Sequence, residues 1–172
     1  MYDHLGDLAQ RLGRYLAENS TKGLPQLFGD ELLEAFPDED LKSMRMALAE
    51  LEAARMVTLS GVLGPHLPRV RPTVDLFVAT DAAITGHDPV EDSVVLARML
   101  LEKPDLGGNT RKLEQASQWD RRRFNPAFAL LIPCVSDGRV RKSIQNDYPT
   151  MGLLLAEEDL VALRRYVQRL TR

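Results

Sequence analysis

The sequence predicts a mainly α-helical chain with small β-hairpins, an α+β fold in which one run of elements occurs twice. Three observations lead there. Apolar residues recur at three- and four-residue spacing in several separate stretches, as they do in helices with one buried face. Short strand-like stretches punctuated by Gly, Pro or Asp-Gly follow the helices in each half, as in hairpins. The order of these stretches is the same on both sides of a polar connection at residues 81–89, which suggests duplication of one supersecondary unit. Two domains are expected, residues 1–84 and 85–172.

In the first half, Leu5, Leu8, Leu12, Tyr15 and Leu16 give a helix over residues 2–18 that Asn19, Ser20 and Gly23 end. Residues 27–36 read as a second helix stopped by Pro37, and Asp38 or Asp40 caps a third through about Arg55, with Leu41, Met44, Leu48 and Leu51 inward. Residues 56–62 then read as a strand and 74–79 as its return partner.

In the second half, a helix over residues 90–102 is built on Val94, Val95, Leu96, Met99 and Leu100 and ends before Pro104. Asn109 or Thr110 caps a short helix through Ser117, and Asp120 caps an arginine-led helix after Trp119. A hairpin follows, with Val135 and residues 139–144 outbound around Asp137-Gly138 and residues 151–155 returning. A last helix, 157–170, buries Leu160, Leu163, Tyr166, Val167 and Leu170 and leaves Arg164, Arg165 and Arg169 outside. Pro72-Thr73 and Pro149-Thr150 each precede an apolar run and align the two halves at the end of each hairpin.

Composition narrows the function classes. No apolar run reaches the ~18 residues that cross a bilayer and no apolar leader opens the chain, so a cytoplasmic protein without a membrane partner is expected. Cys134 is the only cysteine, and between Ile132, Pro133 and Val135 it reads as a buried, inert thiol. His4, His66 and His87 are far apart, and the sequence has no HExxH, phosphate-cradling glycine loop or nucleophile elbow. No catalytic residue, metal site or cofactor is expected. The cluster Glu157, Glu158 and Asp159 is explained by the dipole at a helix start.

The net charge of -3 hides an asymmetry. Residues 1–87 hold 8 Lys and Arg against 13 Asp and Glu, residues 88–172 hold 14 against 12, and residues 111–142 hold 8 against 3. Positive charge is therefore concentrated around the arginine-led helix. At about 100° per residue, Phe124, Ala127, Phe128 and Leu131 share one face of that helix. Arg122, Asn125 and Ala129 share the other, with Arg121 and Arg123 on its flanks. Pro126 sits early in the helix and removes one amide donor.

The segment TRKLEQASQWDRRRFNPAFALL, residues 110–131, resembles helix-turn-helix segments in which a tryptophan closes the turn before an Arg-rich helix. With its hairpin it makes the chain similar to tandem winged helix-turn-helix proteins: two winged-helix units plus a C-terminal helix. The resemblance covers roughly residues 3–80 and 89–156, the first half by order of elements alone. It implies a sequence-specific transcriptional regulator that binds double-stranded DNA, dimeric if its operator is palindromic. Arg122 and Asn125 would then read bases, and Arg121, Arg123, Arg139, Arg141 and Lys142 would hold phosphates. The bland alternative is a solvated basic face.

The first-half counterpart, residues 39–55, presents Lys42, Met46, Ala49, Glu50 and Ala53 opposite its apolar face, a surface poorly suited to phosphate. Met46, Ala49 and Ala53 are candidates for a protein contact, either to the other half or to a second copy. That opens a competing reading: a winged-helix protein-interaction adaptor without significant DNA binding.

Overall fold

A computed structural model of the chain describes residues 2–142 and 147–171. Its first half opens with α1 (Asp7–Asn19), which turns Ala9, Leu12, Leu16 and Ala17 inward. Helix α2 (Glu31–Ala35) is shorter than the sequence predicts. Its expected first turn is extended instead, because Phe28 exchanges two backbone hydrogen bonds of 2.9 Å with Val70. Helix α3 (Leu41–Ala53) starts where Asp40 accepts the Ser43 N–H at 2.7 Å, so the expected cap satisfies one of the orphan donors of the first turn.

The first hairpin pairs β1 (Val57–Ser60) antiparallel with β2 (Arg69–Pro72). Residues 74–79, expected as the return strand, belong instead to α4 (Val74–Ile84). The true return strand, Arg-Val-Arg-Pro, buries Val70 and Pro72 and exposes both arginines. Its alternation is only four residues long and too polar to stand out beside the apolar run that follows. In α4, Leu76, Phe77, Thr80 and Asp81 are buried at helical spacing.

The second half begins with α5 (Pro89–Glu102), capped by Asp88 on the Val90 N–H at 2.7 Å. Asn109 caps α6 (Thr110–Ser117), which ends at Gln118 with φ 59°. Asp120 caps α7 (Arg121–Ala129), accepting the Arg123 N–H at 2.9 Å. The second hairpin is short: β3 (Val140–Arg141) pairs with β4 (Gly152–Leu153). Val135 and Arg139, expected in its outbound strand, lie outside it, since residues 132–134 and 137–139 form single 3₁₀ turns. The expected strand position Ile144 lies outside the described residues. Helix α8 (Glu157–Leu170) closes the chain. It buries Leu163 but leaves Leu170 exposed, against expectation, because the core ends before its last turn.

Two glycines let a preceding segment lie close against the second hairpin. A Cβ on Gly152 would lie 2.6 Å from the Gly108 carbonyl oxygen, and one on Gly107 would lie 2.8 Å from that of Leu153. The strand-side approach that Phe28 makes to β2 is thus made by residues 107–110 to β4, where the Thr110 N–H reaches the Met151 carbonyl at 3.0 Å. Helix, helix, helix, hairpin, helix is the order in both halves. The Pro-Thr alignment is nonetheless one element out of step: Pro72-Thr73 leads into α4, whereas Pro149-Thr150 leads into β4.

Each half has its own apolar core. Leu12, Leu16, Leu48, Leu51 and Phe77 lie in the first, and Leu96, Leu100, Phe124, Phe128 and Leu163 lie in the second. Between them α4 meets α5 and α7, and Ala129 of α7 packs on the first core. No described helix is long and apolar enough to cross a membrane.

Candidate functional site

Helix α7 is sandwiched. Its apolar face behaves as the sequence predicts, with Phe124, Ala127, Phe128 and Leu131 fully buried in the second core. Its opposite face does not look outward. Asn125 is 0% exposed, and its amide donates to the Lys22 carbonyl at 2.8 Å and the Asp147 carbonyl at 2.9 Å. Pro126 is buried as well, and a Cβ on Gly23 would meet its ring at 2.8 Å. Gly23 holds a φ of 67° there, so a residue without a side chain suits both the backbone and the approach.

The three arginines are each committed to a carboxylate inside the protein. Arg122 reaches across to the first half, where both of its terminal nitrogens contact Asp81 (2.7 and 2.6 Å) and one also donates to the Ala17 carbonyl at 3.1 Å. Its guanidinium lies 4.8 Å from the centre of the Phe77 ring. Phe77 and Asp81 are four residues apart on α4, so one helical face supplies both the aromatic surface and the carboxylate. Arg123 is held bidentately by Asp92 of α5 at 2.8 and 2.6 Å and lies 4.2 Å over Trp119. Arg121 pairs with Glu114 at 3.2 Å and Asp147 at 3.3 Å and lies 4.8 Å over Tyr148.

The expectation that Arg122, Asn125 and Ala129 form an outward polar face is therefore corrected. The angular assignment along α7 is right, but the first half covers the face it assigns to solvent. Lys22 strengthens the closure with a 2.6 Å contact to Asp147, and that hydrogen bond holds the Asp147 carboxyl below the usual carboxylate range. Burial pushes the Asp81 carboxyl up, and Arg122 opposes that shift. The bidentate geometry describes an ionised pair.

Just before the second hairpin, Arg139 pairs with Asp159 at 2.8 Å and with Glu158. Asp159 is buried, so the dipole at a helix start is an incomplete account of its place in the acidic cluster. It accepts the N–H groups of Ser136 (3.1 Å) and Ala156 (2.9 Å) in addition to Arg139. Burial raises its carboxyl, but these N–H donors and Arg139 outweigh it and leave the group below the ordinary range. Arg141 donates to the Gly108 carbonyl at 3.0 Å while staying exposed, and Lys142 is exposed. Of the seven residues proposed for DNA, these two remain exposed.

The first-half surface keeps its expected exposure. Met46 is 65% exposed, Ala49 and Ala53 are exposed beside it, and Glu50 is half-buried, accepting the Gly6 N–H at 2.7 Å. Met46, Ala47 and Glu50 line one side of a groove of about 480 Å³, and Asp7 and Leu8 of α1 line the other. A second apolar projection is the tip of the first hairpin, where Leu63 is 97% exposed.

Cys134 is half-buried, and burial raises its thiol above the usual value, which favours the unreactive protonated form. Among the described residues no three His, Cys, Asp or Glu side chains stand close enough to hold a metal ion. Sequence reasoning missed Asp81, Asp92 and Asp147 as the partners of the arginines. For Asp81 a signal existed in its i, i+4 relation to Phe77, legible once residues 74–84 are read as a helix. No protein-family model, curated protein or solved structure matches the chain.

Proposed function

We propose that the chain is a tandem winged-helix protein whose work is protein interaction through its first unit, with α7 serving as a brace between the units. The observation that carries this reading is the use of α7. A helix that reads DNA needs its polar side chains at the groove, and here Arg122 and Asn125 are bonded to Asp81, Ala17, Lys22 and Asp147. The winged-helix part rests on the repeated element order and on the segment that lies against each hairpin, Phe28 on Val70 through two backbone hydrogen bonds and Thr110 on Met151 through one.

Exposed apolar atoms by themselves need no partner. The α3 surface has more in its favour, since Met46 is polarizable and adaptable in shape and lies beside a groove with carboxylates at its edge. The DNA reading keeps one point of support: Arg141 and Lys142 are exposed on the second hairpin, where phosphate contacts would fall.

Titration with duplex DNA at physiological salt separates the two. The interaction reading expects affinity no tighter than the non-specific range of about 10⁻⁴–10⁻⁶ M. Sequence-selective binding orders of magnitude tighter, lost on Arg141→Ala with Lys142→Ala, would reverse it. In parallel, cross-linking of the parent and of Met46→Glu in a cell extract should give products that only the parent forms.

A further inference from the structure

We infer that the groove between α1 and α3 is a self-association site whose occupant is α8 of a second copy of this chain. The inference deepens the proposed interaction role and rests on it. On the groove side, Met46 gives an exposed apolar surface and Asp7 and Glu50 stand beside it. Asp7 has an 89% exposed side chain, with its nearest cation, Arg11, at 3.7 Å. Lys42 lies one turn toward the start of α3, so the acidic part of the rim is at the other end of the face.

The complementary surface is on the same chain. Along α8, Val161 is 41% exposed, and Arg164, Arg165 and Gln168 are exposed on the turns that follow it. With 3.6 residues per turn, Arg164 and Arg165 flank the line through Val161 and Gln168. Glu157 and Glu158 are exposed on the turn before Val161, so the face runs acidic, apolar, basic along α8, the converse of Lys42, Met46 and then Glu50 with Asp7 along the groove. Both faces are exposed in the single chain, so neither covers the other within it. The charge division of the halves favours the same pairing, with 13 acidic against 8 basic residues before residue 88 and 14 basic against 12 acidic after it.

Groove and helix are different surfaces, so the contact is heterologous: each copy offers a groove to one neighbour and a helix to another. That yields a ring or an open chain, and it gives the contact a diagnostic behaviour. A copy with a damaged groove and an intact α8 can still bind a copy with an intact groove and a damaged α8. Such a pair cannot grow further.

Sedimentation velocity of the full chain, from micromolar to millimolar concentration, provides the test. The parent should gain average mass with concentration and lose that gain in high salt, which screens exposed charges. Met46→Glu alone and Arg164→Glu with Arg165→Glu alone should each sediment as monomers, and their equimolar mixture should form a dimer and nothing larger. Ala49→Glu, on the exposed α3 surface next to Met46, serves as a second variant, with far-UV circular dichroism confirming that each variant is folded. A parent that stays monomeric throughout overturns the inference, as does association that survives in the variants or a mixture that fails to pair. If the parent is monomeric and Met46→Glu still abolishes cross-links to other proteins, only the choice of occupant has failed. If those cross-links are also unchanged, the interaction reading fails with it.

Discussion

Asp159 carries several roles on one carboxylate. It closes the first turn of α8 through the Ala156 N–H, fixes the chain before the second hairpin through the Ser136 N–H, and pairs with Arg139. Its pKa is depressed in the folded protein, so it contributes stability that is present above the unfolded aspartate value and is lost as pH falls through the folded one. Asp159→Asn should destabilise the protein at neutral pH by about 1–3 kcal/mol, the usual cost of weakening the partners of buried donors. Urea titrations at stepped pH should show the gap between parent and variant narrowing below the ordinary carboxylate range. An unchanged gap would mean the carboxylate is not ionised where the structure places it. Gly23 sets a second residue-scale expectation. Gly23→Ala strains a positive φ and drives a methyl into the Pro126 ring, so it should cost more than the ~1 kcal/mol typical of an arbitrary substitution, measured as a fall in the denaturation midpoint.

At the scale of elements, three helix starts were legible, because capping is local chemistry: Asp40, Asn109 and Asp120 each accept an N–H from the first turn of the following helix. The starts of α1 and α2 were read too early, and the Asp88 cap of α5 was not read at all. Strands were harder to find. Val70 becomes a strand residue by pairing with Leu59 and Phe28, partners 11 and 42 positions away along the chain, and no local pattern announces that. The apolar run after Thr73 looked like the better strand, and it is α4. The glycines beside the second hairpin test the pairing directly. Gly152→Ala puts a methyl against the Gly108 carbonyl and should cost about 1–3 kcal/mol, as overpacking does. Gly138→Ala, where nothing lies within 4 Å, should fall within about 0.5 kcal/mol of the parent. Thermal melts of the two variants make the comparison, and equal effects would argue against the close approach.

Over the whole molecule, the sequence divides the chain into two units while α7 ties them together. The arginine triplet illustrates why the tie was illegible. Three guanidinium groups read the same in sequence whether water, phosphate or Asp81 and Asp92 faces them, and the answer lies in how the first half docks. Periodicity could assign Phe124 and Phe128 to a core, but it could not say that a second surface would close on Asn125. Because Arg122 is mostly buried and its partner lies in the other unit, unfolding of one unit strands a charge in the other. A single coincident transition is expected by tryptophan fluorescence, which reports on Trp119 in the second half, and by far-UV circular dichroism, which reports on both. The most direct measurement is a double-mutant cycle in urea with Arg122→Ala, Asp81→Ala and the pair together. Either single change should cost about 3–5 kcal/mol by leaving a buried charge without its partner, and the double should cost less than the sum, with a coupling of about 1–3 kcal/mol. Two small, additive effects would contradict the account, because they would place Arg122 in solvent and restore α7 to an outward-facing helix.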